Sequence, residues 1–464
     1  MLFSSIPFLY YFLPCVLILY LIAPKKLKNA VLLLSSLFFY WWGEPRYVIL
    51  MVFNIAFGYV CGLLIEKFRG KAASKLFMSL SVIVSIGLLG YFKYADFLIE
   101  NFNAITGLSV PLLKIALPIG ISFYTFQLLS YTIDVYRGDV PAQKNPVTLA
   151  AYVALFPQLI AGPIVRYSDV ALQLDERKHS FEYVSIGIRR FIIGLAKKVL
   201  IGDAMFALCD IFRASGEKSV LFYWMYAIAF CIHVYFDFSG YSDMAIGLGK
   251  IFGFDFLENF NYPFISKSAS EFWRRWHMSL GSWFRDYVYI PMGGNRVGKY
   301  RLVLNLMVVW MLTGLWHGAA WNFVIWGLYF GVLLMIEKRF FAKFLSKHAF
   351  IGHIYTLFLV IISFVIFNAA DMRGIFSDIG GLFGAGGIPL VSKETLYCLK
   401  DFGLLFILGI VGATPLMKNL TLKLREKKEG LMNVLEIIFL AVLLIMVTAY
   451  FVDGSFSPFL YFRF

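Results

Sequence analysis

Apolar stretches of membrane-spanning length recur along the chain, separated by short polar links, and they predict a bundle of helices in a bilayer rather than a water-soluble core. The stretches run over about 7–23, 29–42, 47–65, 76–92, 112–133, 147–164, 186–211, 219–237, 302–316, 318–336, 350–368, 401–416 and 431–452. Some are short or interrupted, so the pattern predicts an all-α polytopic membrane protein of about 11–13 embedded segments, including interfacial and re-entrant helices. Pro118 and Gly120 break one run, Pro157 and Pro163 break another, and Ser239-Gly240 reads as a break between two helices. Such breaks survive at membrane depth only where protein or a water-filled cavity satisfies the freed backbone groups. Gln127 and Gln158 then line an interior passage, or simply bond between helices.

The most polar long segment covers about 254–301. Within it Trp273, Trp276, Leu280, Trp283 and Phe284 recur three and four residues apart, while Arg274, Arg275 and Arg285 fall largely on another face. The spacing predicts an interfacial amphipathic helix with its rings in the headgroup zone and its guanidinium groups toward water or phosphate. His277 and Asp286 add titratable groups that lipid anchoring does not require.

The stretch from Leu302 to Ile336 carries a histidine in its middle and is bracketed by Lys299 and Arg301 before and by Glu337, Lys338 and Arg339 after. Both ends therefore belong at one polar face. Roughly 35 residues in and out give a rise of about 25 Å each way, slightly short of a ~30 Å hydrocarbon core. His317 is expected near the apex of a helical hairpin, below the far surface. A core histidine and a functional base both fit that position; the glycines of Thr313-Gly314-Leu315-Trp316-His317-Gly318 favour a place that a substrate can approach closely. Asp237 and Asp243, in the run Asp237-Phe238-Ser239-Gly240-Tyr241-Ser242-Asp243, either line a cavity or cap helices and pair with basic residues.

Composition agrees with the pattern: 60% of the 464 residues are hydrophobic, 15% are charged, and the mean hydropathy is +0.76. The net charge of +14 follows from basic links that belong in the cytoplasm, which puts the N-terminus outside. No basic soluble domain is visible, which excludes a nucleic-acid role. Five cysteines stand singly without C-x-x-C spacing, so neither a disulfide framework nor a metal site is expected. The glycine-rich run 380–387 reads as a flexible extracytoplasmic loop. With no repeat and no long linker, residues 1–464 read as one integrated membrane domain.

Three motifs carry a resemblance. Phe-Trp-Arg-Arg-Trp-His-Met-Ser-Leu at 272–280, Asp-Phe-Ser-Gly-Tyr-Ser-Asp-Met-Ala-Ile-Gly at 237–247 and Leu-Thr-Gly-Leu-Trp-His-Gly at 312–318 look like the membrane-bound O-acyltransferase family. The likeness is greatest to the bacterial branch that holds the alginate O-acetyltransferase membrane subunit and the teichoic acid D-alanyl transfer protein, and it extends to Ser457–Phe464. It implies helices around a central tunnel or funnel in a bacterial inner membrane, with His317 as the essential intramembrane histidine and His277 as the second motif histidine. It also implies a cytoplasmic thioester donor, acetyl-CoA or an acyl carrier protein, no tightly bound cofactor, and an extracytoplasmic SGNH-hydrolase-like partner. On that reading neutral His317 removes the acceptor's hydroxyl proton. Arg274, Arg275 and Arg285 suit donor phosphates, while Trp276, Trp316, Asp237, Ser239, Asp243 and Gln127 are candidate tunnel or donor residues. The expected function is transfer of a short acyl group, acetyl first, toward an extracytoplasmic polysaccharide. D-alanyl transfer is the alternative, and a transporter or flippase the distant one, disfavoured because no inverted repeat is visible.

Overall fold

The computed structural model describes residues 3–160 and 162–454; Ala161 and the tail containing the Ser457–Phe464 motif lie outside them. Among the described residues all regular structure is helical. Among the described residues six helices are long and apolar enough to cross a bilayer: Val48–Lys67, Ala72–Thr106, Val220–Ile251, Ala349–Asn368, Lys393–Gly412 and Glu429–Val452. The protein is a multi-pass membrane protein. Its contacts divide it into two compact units, Met1–Phe191 with Met244–Leu257, and Ile192–Asp243 with Glu258–Phe464.

The first unit is held by aromatic packing and close helix crossings. Phe8, Phe12, Phe39 and Phe156 cluster with ring centroids 5.3 to 5.8 Å apart in the contacting pairs Phe8–Phe12, Phe8–Phe39, Phe12–Phe156 and Phe39–Phe156. A Cβ on Gly62 would fall 2.7 Å from the Tyr131 hydroxyl, so glycine is what lets these helices meet there. The break at Pro118 and Gly120 is present, but it begins a helix instead of kinking one. Gly120 is left-handed (φ 75°) and the helix runs Ile121–Arg137, leaving the first half of the expected 112–133 span non-helical. The expected 147–164 span likewise reduces to Pro146–Ala154 and the short Phe156–Leu159 turn.

The second unit carries the hairpin. Lys299–His317 forms the first arm, residues 318–320 turn, and Trp321–Ile336 returns. The two arms approach to backbone contact: a Cβ on Gly314 would lie 2.2 Å from the Phe323 carbonyl oxygen, and one on Gly327 would lie 2.2 Å from that of Trp310. This small-residue crossing fixes how the apex histidine is presented.

Three expectations from the sequence differ from the structure. Ser239-Gly240 is not a break, because the helix is continuous from Val220 to Ile251. Gly240 instead admits a neighbouring helix, since a Cβ there would stand 2.6 Å from the Gly194 carbonyl oxygen and 3.0 Å from Lys198 N. Asp237 and Asp243 accordingly lie inside that helix and pair with lysines. The interfacial helix over 272–284 is also two helices, Ala269–Arg275 and Met278–Phe284, separated by Trp276 and His277. Its rings face protein, not headgroups: Trp273 packs on Trp310, Trp326 and Phe330 at 4.7, 5.6 and 4.8 Å. The glycine-rich 380–387 run is partly ordered as well, with Gly380 and Gly381 ending the Met372–Leu382 helix.

Candidate active site

His317 ends the first arm of the hairpin and is 6% exposed. Three aromatic rings surround it: Trp316 at 5.0 Å, Trp326 at 5.0 Å and Phe367 at 5.3 Å between centroids, each close to perpendicular. Gly318 makes this cage possible, because a Cβ there would fall 2.1 Å from the Phe323 ring. Asn322 donates to the Phe367 carbonyl at 2.9 Å and so ties the cage wall to the start of the returning arm.

The turn between the two short helices brings the second histidine to the same place. His277 lies in the left-handed region (φ 44°, ψ 51°), uncommon for any residue but glycine, asparagine or aspartate. Two backbone bonds hold it there, Asn261 N–H to the Arg275 carbonyl at 2.9 Å and Met278 N–H to the Asn259 carbonyl at 3.0 Å. The His277 ring is 1% exposed and packs between Phe238 at 4.7 Å and Trp316 at 5.6 Å. Trp316 thus touches both histidine rings. Burial pushes the His277 imidazole down to about 3, so it is a neutral base at physiological pH.

The side-chain carbonyl of Asn259 meets this turn from a loop, 3.2 Å from Ser279 N, 2.9 Å from Ser279 Oγ and 3.2 Å from His277 Nδ1. Glu337, at the end of the returning arm, accepts from Ala269 N, Ser270 N and Ser270 Oγ at 2.6, 3.1 and 2.7 Å. It therefore caps the helix that leads to His277 from the element that carries His317. Sequence reasoning finds neither residue. The turn-forming run Asn259-Phe260-Asn261-Tyr262-Pro263 is the signal for Asn259, and Glu337 reads as one more charge in a cytoplasmic link.

The other candidates lie elsewhere. Trp276 is buried against Phe272 at 5.5 Å, Phe260 at 5.0 Å and Phe364 at 5.4 Å, as a wall behind His277. Asp237 is fully buried, 3.5 Å from Lys198, which also binds Asp203 at 2.7 Å; Asp243 pairs with Lys197 at 2.7 Å. Ser239 is buried and its hydroxyl has no partner among the described groups. Arg275 is committed to Glu271 at 2.9 Å and to the Asn261 carbonyl at 3.1 Å, so it braces the turn. Arg274 and Arg285 are exposed, the latter against Asp286 at 2.7 Å. Gln127 is buried in the first unit. Among the described residues no group of histidine, cysteine and acidic side chains is arranged to hold a metal.

Comparison with known proteins gives the family of the chain. A family model described as MBOAT, membrane-bound O-acyltransferase family, matches residues 142–376, which include both histidines. The chain is 41% identical over 420 residues to "Probable alginate O-acetylase AlgI" of Azotobacter vinelandii, covering 89% of this chain and 84% of that protein. It is 33% identical over 433 residues to "Peptidoglycan O-acetyltransferase" of Helicobacter pylori, covering 85% and 82%. With "Teichoic acid D-alanyltransferase" of Bacillus subtilis it shares 34% identity over 242 residues, covering 50% and 61%.

Proposed function

We propose, for a chain that belongs to the membrane-bound O-acyltransferase family and is an O-acyltransferase, that it moves an acetyl group from a cytoplasmic thioester toward an extracytoplasmic polysaccharide, with His317 as general base. The observation that carries the reading is Trp316 flanked by two buried histidine rings, at 5.6 Å to His277 and 5.0 Å to His317. A thioester is already activated, so the work left is to remove a hydroxyl proton, align the reactants and stabilise the oxyanion. His317 takes the proton as the hydroxyl oxygen attacks the thioester carbon. The tetrahedral intermediate then collapses, the C–S bond breaks, and the imidazolium returns the proton to the leaving thiolate. Positioned base catalysis of this kind contributes about 10²- to 10⁴-fold. Trp326 stands beside the base with a buried indole N–H that has no partner among the described groups, a free donor for the oxyanion. Neutral His277 offers its second nitrogen, Nε2, as an acceptor for an N–H or O–H of substrate.

The arrangement in the cell follows the same proposal: the cytoplasmic membrane, the N-terminus outside, and acetyl-CoA or an acylated carrier protein as donor. An SGNH-hydrolase-like partner outside would complete the transfer. Similarity over most of the chain to acetyl-transferring relatives supports acetyl; similarity over half of it to a D-alanyltransferase keeps D-alanyl transfer as the second reading. One experiment tests both. Cells carrying wild type, His317→Ala or His277→Ala, matched for membrane level, are assayed for alkali-released acetate and D-alanine from surface polymer. Acetate lost in the His317 variant supports the proposal, acetate retained removes His317 from the mechanism, and D-alanine in place of acetate in the wild type selects the alternative.

A further inference from the structure

We infer that Asn259 is a positioning residue that fixes His277 in one tautomer, with the proton on Nδ1 and the lone pair of Nε2 presented to substrate. The inference rests on the reading of His277 as a substrate-facing group, and it begins with a backbone donor. Ser279 N–H can only donate, and it points to the Asn259 side chain at 3.2 Å, so the atom it meets must be the carbonyl oxygen, Oδ1. The same oxygen is 3.2 Å from His277 Nδ1. An amide oxygen only accepts, so Nδ1 must carry the proton, and in a neutral imidazole Nε2 must then be unprotonated. Nε2 is buried and has no hydrogen-bond partner among the described residues. A buried acceptor left open beside the proposed base is where a substrate donor belongs.

The surroundings give the asparagine a reason to be neutral. The rings packed on His277 are Phe238 and Trp316, and the groups bonded near it are Asn259 and Ser279, none of them charged. The titratable neighbours one residue further on are His317 beyond Trp316, and Asp237 beyond Phe238, the latter 3.5 Å from Lys198. A carboxylate in place of the amide would hold Nδ1–H equally well but would favour the imidazolium, which has no lone pair left to offer. An amide orients the ring without charging it.

Two substitutions in the full-length protein test this, assayed in membrane vesicles with acetyl-CoA as the probe and the polymer acceptor present. Asn259→Leu keeps the shape and the backbone bond from Met278 N–H to the residue 259 carbonyl, but removes the acceptor. The expected loss is about tenfold or more in kcat at matched membrane level, from rings free to take the other tautomer. Asn259→Asp keeps all three acceptor contacts, so most activity returns above about pH 7 while the acid limb of the pH profile moves up, because the carboxylate raises the His277 pKa. A merely structural asparagine would leave that limb in place. An unmoved limb in Asn259→Asp, or wild-type kcat in Asn259→Leu, overturns the inference. Should Asn259→Leu fail to reach the membrane, the Asn259→Asp profile decides alone. Full activity of His277→Ala would instead sink the reading of His277, a result distinguishable from either.

Discussion

Glu337→Ala is the perturbation whose magnitude the structure fixes most directly. Its carboxylate is 2% exposed and accepts from Ala269 N, Ser270 N and Ser270 Oγ. Ala269 is itself 1% exposed, so its N–H lies in the protein interior and relies on that carboxylate as its acceptor. Loss of capping at a helix N-terminus costs about 0.5–2 kcal/mol, and stranding a buried donor costs about 1–3 kcal/mol. The two overlap, which gives about 2–4 kcal/mol for the alanine variant. Glu337→Gln retains an acceptor oxygen and loses only the charge, so about half of that is expected. The assay is the fraction of monomer recovered by size exclusion after heating detergent-solubilised protein. At about 2–4 °C per kcal/mol the alanine variant should melt about 5–15 °C below wild type, with the glutamine variant between them. Activity measured well below either midpoint should fall as well, because the capped helix ends at the turn that holds His277. An alanine variant as heat-stable as wild type would refute the reasoning. A glutamine variant no better than alanine would place the effect in charge rather than in the acceptor geometry.

Three further perturbations probe the site. Gly314→Val must force the hairpin arms apart, since its Cβ would start 2.2 Å from the Phe323 carbonyl oxygen. About 1–3 kcal/mol of strain and a drop of about tenfold or more in acyl transfer at matched membrane level are expected, and unchanged activity would disprove the crossing. Trp326→Phe keeps a ring beside His317 and deletes the indole N–H; a fall of about 10²-fold in kcat with the donor KM little changed is expected if that N–H serves the oxyanion, and an unaltered kcat assigns it no such part. The pH dependence of stability follows from His277: its unfolded imidazole titrates near 6.5 and its folded one near about 3, so between those values the unfolded chain binds the extra proton. Stability is then fully present above the unfolded value and is lost as pH falls through that window, by about 2 kcal/mol at about pH 5. His277→Gln should flatten this loss in thermal melts taken between about pH 7 and 5, and an equally steep loss in that variant would assign it to other groups.

What is legible in the sequence is the part written in periodicity and charge. The hairpin is readable because an apolar run too long for one pass has cations at both ends and glycines at its centre, and those glycines are where the arms touch. Ser239-Gly240 misleads for a physical reason: a glycine inside a membrane helix signals close approach of a neighbour as well as a turn, and only the partner, here Gly194 and Lys198, tells which. The 272–284 segment misleads because aromatic spacing of three and four continues across the turn at His277, so the period gives no sign that one residue has gone left-handed.

The residues that sequence reasoning misses share one property, and it bears on how the site works. Asn259 and Glu337 act through side-chain oxygens on donors far along the chain: Asn259 on residues 277 and 279, Glu337 on residues 269 and 270. Neither needs a pattern around it, so no window of sequence exposes either. Yet the two side chains grip opposite ends of the 269–279 segment, one at the first turn of its leading helix and the other at the histidine turn. Aromatic contacts alone, Trp273 on the hairpin and His277 on Trp316, would leave that segment free to slide by fractions of an ångström along flat ring faces. Directional bonds at both ends remove that freedom, so the proposed acyl transfer, if sensitive to displacements of about 1 Å, should depend on both side chains as well as on the packing.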